Sequence, residues 1–419
     1  MSAVQDDSPR ASGHRLARMT GRDPGASHRA ASPLELLFDL TFVLAFGQAA
    51  DELAHLVAAG HAGPAVLGFV FAIGAACWAW VNFSWFASAY DTDDWLFRVL
   101  TLVQMIGVVV FALGLPAMFE SLEVGGSVDS GVLVAGYVIM RVAMIAQWMR
   151  VAVQDPSRRS TALAYAVLVG IAQLAWIALA VAHQSALVFF VCAALLFVLE
   201  AASPVIAERR SSGTPWNPRH LAERYGLLAI IALGEGIFGT VAAVSGLVDQ
   251  QGWSTEAVLV VVAGVGITFG LWWTYFIVPS GDILARHRER STVWGYGQIV
   301  ILGAIAAIGG GLHVAAEVIE GHAAIGVAGA IVAVSVPALV FSVTLFALNV
   351  YLVREVDAVM AGLVAGSVAI LVAAIGLAVA GAPIGVCLVV VTLAPAVVVV
   401  GYETVGYRHE AAAVERALS

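Results

Sequence analysis

Twelve apolar stretches of about 20 residues each leave most of this chain one solvent in which to fold. They cover 33–56, 64–89, 97–118, 131–153, 161–183, 185–206, 219–247, 255–279, 292–314, 325–352, 358–380 and 384–406. Short turns divide them, punctuated by Gly and Pro as at Gly63-Pro64, Asp155-Pro156 and Ala382-Pro383. Only 12% of the 419 residues are charged and 61% are hydrophobic, whereas a soluble domain carries about 25% charge. So little charge cannot coat a globule of this size, and the bilayer is the natural surrounding. The last stretches are rich in Val and Ala, residues that also suit strands. Their length favours helices, because lipid offers no partner to a backbone group left unpaired. The sequence therefore predicts an all-α, polytopic membrane helix bundle of about twelve transmembrane helices.

Arginine placement tests that division. All 20 basic residues are arginines. With the N-terminus inside, the inner flanks hold Arg98, Arg150, Arg158, Arg159, Arg209, Arg210, Arg219, Arg286, Arg288, Arg290, Arg354, Arg408 and Arg416. The outer loops hold Glu120, Glu123, Asp129, Asp249 and Glu320 instead. This positive-inside pattern predicts a multi-pass protein of the inner membrane with both termini cytoplasmic. Residues 1–31 are polar, lack an apolar core and precede no cleavage pattern. They read as a disordered cytoplasmic tail, and 408–419 as a second tail. Cys77, Cys192 and Cys387 each lie inside an apolar run, far apart, and read as small buried side chains.

The chain also looks duplicated. Shifted by 187 residues, "FDLTFVLAFGQA" (38–49) lies over "YGLLAIIALGEG" (225–236), with Gly47 on Gly234 and Gln48 on Glu235. Further on, "CWAWVNF" (77–83) lies over "GLWWTYF" (270–276). Six spans per unit is an even number, so the halves would share one orientation, related by a pseudo-twofold axis along the membrane normal. The expected organisation is a six-helix repeat over 32–206, a cytoplasmic linker over 207–218 and a second repeat over 219–407.

A few ionisable residues stand where a span should be apolar, at a cost of at least about 2.5 kcal/mol for a lone charge at the helix centre. In "HLAERYGLLAIIALGEGIFGTV" (220–241), His220, Arg224 and Glu235 share a helix face and mark a polar stripe from the inner surface towards mid-membrane. Gly234 and Gly236 flank Glu235 and would let another helix or a substrate approach. On the first span Glu35 and Asp39 share a face; Glu35 also reads as a solvated helix start, while Asp39 lies deeper. Gln48, Asp51, Glu52 and His55 cluster towards the outer end and read mostly as a wet terminus. Arg141 lies deep in "GYVIMRVAMIAQW" and should meet an acid: Glu200, Glu235 or Asp39. Trp78, Trp80, Trp85, Trp272 and Trp273 read as helix packing. His313 and Glu317, four residues apart near an outer end, read as wet rather than as a metal site. No cofactor or nucleotide motif is present, and the basic residues are too scattered for nucleic acid.

Two of these segments carry a family resemblance. "SPLELLFDLTFVLAFGQ" and "HLAERYGLLAIIALGE" resemble the low temperature requirement protein A family of bacterial membrane proteins, over nearly the whole chain after residue 31. The resemblance implies a polytopic membrane protein and supplies no reaction. Its motif positions here are Glu35, Phe38, Asp39 and Gln48, then His220, Glu223, Arg224, Gly234 and Glu235. "FDLTFVLA" is also similar to the first-helix Phe-Ser-Asp signature of six-plus-six potassium and proton channels. Here the acid follows Phe38 directly, and Gly226 stands where a second acid would align.

The leading functional reading is transport or permeation of a small ion or solute, proton-coupled through Glu235 and Asp39, with Arg141 and Glu200 as further ion-site candidates. The alternative is a non-transporting membrane protein that supports low-temperature growth or envelope adaptation through lipid or protein partners. An intramembrane enzyme ranks third, since no nucleophile–base pair stands out. A transporter needs Glu235, Asp39 or Arg141 to line a cavity, whereas a scaffold would close them off in pairs.

Overall fold

A computed structural model describes residues 16–25, 30–210 and 213–418. It contains twelve helices long and apolar enough to cross a membrane. Spans 1–6 are Pro33–Ala58, Ala62–Tyr90, Trp95–Val124, Gly131–Gln154, Pro156–Val181 and Ala186–Glu208. Spans 7–12 are Pro218–Asp249, Thr255–Arg286, Arg288–Glu320, Val327–Val353, Ala358–Val379 and Ile384–His409. Each agrees with an expected apolar stretch to within a few residues at most ends. Span 3 is the clearest departure: it breaks at Gly114, before Pro116, and continues as a second short helix to Val124. The even number of spans puts both chain ends on one side, called here the terminal face; the other is the far face.

Local signals set the helix starts. Ser32 caps span 1 in a reciprocal capping box with Glu35, with Pro at the first helical position. Asn217 caps span 7 by accepting from the His220 backbone N–H, ahead of Pro218. Asp94, Ser254 and Asp357 cap spans 3, 8 and 11.

Spans 1, 2, 7 and 9 form the centre, and span 9 is the most buried of all. Its sequence explains this. Gly309, Gly310 and Gly311 are consecutive and therefore point in three directions about 100° apart. A Cβ at Gly309 would lie 2.6 Å from Glu235 Cβ on span 7, one at Gly310 3.0 Å from the Ala50 carbonyl on span 1, and one at Gly311 2.5 Å from the Ala333 carbonyl on span 10. Three helices thus approach at one level because none meets a side chain. The Ala333 carbonyl is the one that Pro337, four residues on within span 10, cannot satisfy. Spans 6 and 11, with the smallest buried share, lie at the lipid-facing edge.

Of the polar stretch 1–31, residues 1–15 and 26–29 lie outside the described residues. Residues 16–25 lie along the terminal face, where Met19 is fully buried. There the Met19 N–H donates to Gln154 Oε1 at 2.8 Å and Arg22 reaches Asp91 at 3.2 Å.

Candidate functional site

The first cluster of intramembrane charge joins spans 1, 2 and 7. Arg224 donates through Nε to Asp39 Oδ2 at 3.0 Å, through Nη2 to Asp39 Oδ1 at 2.5 Å and through Nη1 to Glu35 Oε1 at 2.9 Å. The guanidinium fork thus serves two carboxylates one helical turn apart, which matches its planar geometry. Trp80 Nε1–H donates to Asp39 at 2.6 Å, and the His220 imidazole lies 3.3 Å from the Glu35 carboxylate. Glu35 also accepts from the Ser32 backbone N–H at 2.8 Å, closing the cap. Glu35, Asp39, His220 and Arg224 are all fully buried. Glu35 is therefore not a solvated helix start; its position one turn into the helix puts it under span 7.

A second cluster joins spans 4, 5 and 6. Arg141 Nη2 lies 3.4 Å from Glu200 Oε2 and donates to the Tyr137 hydroxyl at 2.6 Å; that hydroxyl in turn makes a short hydrogen bond to Glu200. Gln173 Nε2 and Trp176 Nε1 donate to the other Glu200 oxygen at 3.2 and 3.3 Å. Glu200 is the acid that Arg141 meets, while Asp39 is engaged by Arg224 and Trp80. Spans 5 and 6 supply Gln173, Trp176 and Glu200, so the cluster ties three neighbouring helices together.

Glu235 belongs to neither cluster. It is 3% exposed, near the midpoint of span 7, and no hydrogen bond or ion pair to its carboxylate occurs among the described residues. Glycines from two neighbours shape its space. A Cβ at Gly47 would lie 3.1 Å from Glu235 Oε1, and Gly309 packs against its Cβ. The flanking glycines expected to admit a neighbour act unequally: Gly236 lies against Thr268, while Gly234 faces open space. The stripe of His220, Arg224 and Glu235 is thus divided, its first two members closed in an ion network and its third left alone. Gln48 bonds its own helix at Glu52, 3.0 Å away, and Glu223 is exposed, 3.3 Å from the Ala31 backbone N–H. Among the described residues no group of three or more His, Cys, Asp and Glu side chains is placed to hold a metal ion.

Residues 30–395 match the family described as bacterial low temperature requirement A protein. The chain belongs to that family. A curated protein of Rhizobium meliloti (strain 1021), described as uncharacterized, is 27% identical over 290 residues. The matched part covers 65% of this chain and 66% of that relative, so the chain spans just under two thirds of the relative's length. No solved structure matches. In this family member the two motifs that carry the resemblance face each other: Glu35 and Asp39 of the first meet His220 and Arg224 of the second.

Several participants were not legible as such. Trp80 reads as packing from sequence, yet it is a hydrogen-bond donor to Asp39. Tyr137 stands four residues before Arg141, a spacing that places both on one helix face and could have flagged it. Gln173 and Trp176 come from a third span, and no local signal links them to Glu200. On the terminal face Asp94 and Arg150 form a buried pair that loop charges alone do not reveal.

Proposed function

We propose that this family member works within the bilayer itself, as a non-transporting envelope protein whose lateral cavity holds lipid acyl chains. One observation carries this. A cavity of about 570 Å³ lies between spans 1 and 2 and spans 9 and 10, and its walls are almost wholly apolar. Phe69, Ile73 and Ala304 form its depth, and the missing side chain of Gly303 enlarges it. Val66, Val70, Val300 and Val336 stand exposed at its mouth, at the level of the spans where the surroundings are hydrocarbon. A chain of methylenes matches such a lining; an ion would lose its hydration and gain no ligand. The two closed charge clusters support the same reading, since each neutralises its own cost between helices. Acyl chains order on cooling, so the occupancy of a chain-shaped cavity changes with temperature, in keeping with the family's description. Native mass spectrometry of the purified protein tests this. We expect co-purifying phospholipid in the wild type and its loss in Gly74→Phe combined with Val300→Trp, with the fold retained. Equal lipid in both would remove the reading.

Transport or permeation of a small ion or solute, with proton coupling, is the second reading. Its support is Glu235, a buried acid near mid-membrane without a partner. Flux in proteoliposomes, screened over protons, alkali cations and small metabolites with and without a pH gradient, decides it. Flux unchanged by Glu235→Gln, or none at all, counts against it.

Both readings take the chain as two parallel six-helix halves in the inner membrane with both termini cytoplasmic. The neighbour order supports the halves: span 1 packs on 2 and 3 as span 7 packs on 8 and 9, and the later spans follow in sequence in each. The contacts between spans 1 and 7 support the parallel arrangement. His220 meets Glu35 and Arg224 meets Asp39, and both pairs are 185 residues apart. Two helices that touch at nearly constant offset run in the same direction and in register.

A further inference from the structure

The unpartnered carboxylate of Glu235 is the start of a ladder of titratable groups that leads to the far face. Spans 1, 7 and 9 meet there in layers one helical turn apart. The deepest layer is Gly47, Glu235 and Gly309, where both glycines lie against Glu235. Four residues on in each helix, the next layer is Asp51, Gly239 and His313. His313 Nδ1 lies 3.5 Å from Asp51 Oδ1, and the opposite edge of the ring, with Cδ2 3.0 Å from the position of a Gly239 Cβ, faces span 7. Nε2, bonded to that Cδ2, is buried and has no hydrogen-bond partner. A further turn out stand His55 on span 1 and Glu317 on span 9.

Exposure rises along this ladder, from 3% at Glu235 to 22% for the His313 side chain and 56% for that of Asp51. Asp51 stands one helical turn beyond Gly47, which lies against Glu235. Towards the terminal face the same helices present Phe42, Phe46, Leu228 and Ala232, all buried. Below these lies the closed Arg224 cluster, about 16 Å from Glu235 along the axis of span 7. The ionisable groups around Glu235 are thus Asp51, Glu52 and His55 on span 1 and His313 and Glu317 on span 9. Span 8 presents only Thr268 at this level.

We propose that Glu235 is a proton-binding site loaded from the far face through Asp51 and His313 and closed towards the terminal face. A proton arrives from far-face water, is held on the imidazole and passes to the Glu235 carboxylate; release reverses the path and nothing else is consumed. The geometry selects a proton over a metal cation because a single carboxylate suffices for it, and no third His, Cys, Asp or Glu ligand is placed here among the described residues. The inference stands apart from the lipid reading and requires no passage across the membrane.

The test is time-resolved infrared difference spectroscopy on the full-length protein in oriented proteoliposomes, sorted by a tag at the C-terminus. We expect a protonated carboxyl band that responds to a pH jump on the far face and not to a jump on the terminal face. Glu235→Gln should abolish the band, and Glu235→Asp should keep it at a shifted frequency. His313→Gln should slow the response at least about tenfold, because it removes the shuttle and leaves the acid. A band that persists in Glu235→Gln, or one that answers to the terminal face alone, overturns the proposal. The sidedness measured on the wild type decides it even if Glu235→Gln fails to fold.

Discussion

At Arg224 one guanidinium satisfies two carboxylates, with an imidazole and an indole completing the shell. Such a cluster is asymmetric in its energetics. Removing Arg224 alone leaves two acids in a dry interior, and breaking a buried pair this way costs about 3–5 kcal/mol. Removing every charged member together leaves no uncompensated charge. We therefore expect Arg224→Met to lower thermal stability in detergent severely, while Glu35→Gln, Asp39→Asn and Arg224→Met combined recover most of the loss. Additive losses would show that the residues do not act as one unit. The same logic applies to Tyr137, whose hydroxyl stands between Arg141 and Glu200. Tyr137→Phe should cost about 1–3 kcal/mol and shift the fluorescence of Trp176, which shares the Glu200 acceptor.

Among the elements, the segment 16–25 is tied to the bundle by Gln154 and Asp91 and, at its start, by Asp94. Asp94 caps span 3, accepts from the Ala17 N–H at 3.1 Å and pairs with Arg150, which also donates to the Ala17 carbonyl at 2.8 Å. Burial pushes the Asp94 carboxyl up, but the hydrogen bonds from Arg150 and from the backbone N–H groups of Phe97 and Ala17 outweigh it and leave it below the usual range. A depressed acid stabilises the folded form fully above its unfolded value of about 3.9. That contribution disappears as the pH falls through the lower, folded value. This tie should therefore hold at neutral pH and loosen only in strong acid. A spin label at Thr20→Cys, in a background without the native cysteines, reads this directly. Asp94→Asn should make the label more mobile at neutral pH. Release of the wild-type segment between about pH 6 and 8 would assign the contact to a histidine instead.

For the whole molecule, the described arginines at the helix ends gather on one face, whereas acids stand on both. Arg98, Arg150, Arg158 and Arg219 lie on the terminal face, and Glu123, Asp129 and Glu320 on the far one. From the positive-inside rule we propose that the terminal face is the cytoplasmic one. Single cysteines at Asp129 and Ser157, again without the native cysteines, separate the two orientations. An impermeant maleimide should label Asp129→Cys in intact cells and Ser157→Cys only after permeabilisation. The reverse pattern would invert the assignment and place the proton ladder of Glu235 on the cytoplasmic side.

The sequence by itself determined the number of spans, their near limits and the residues whose charge needed an explanation. It could do so because each of these is local: an apolar run must satisfy its own backbone in lipid, and Ser32-Pro33 and Asn217-Pro218 start their helices from adjacent residues. Glu35, Asp39, Arg224 and Arg141 were visible as costs for the same reason. Only the tertiary structure decided how those costs are met. Arg224 reaches back 185 residues to Asp39, and Glu200 gathers donors from two other spans; no periodicity within one helix carries that information. Glu235 shows the limit most plainly. Its sequence neighbours His220 and Arg224 on the same helix face suggested one stripe, but a helix face meets different helices at different depths. Span 1 brings acids to the first two and glycine to the third, so identical logic along the chain ends in two closed ion pairs and one carboxylate left open.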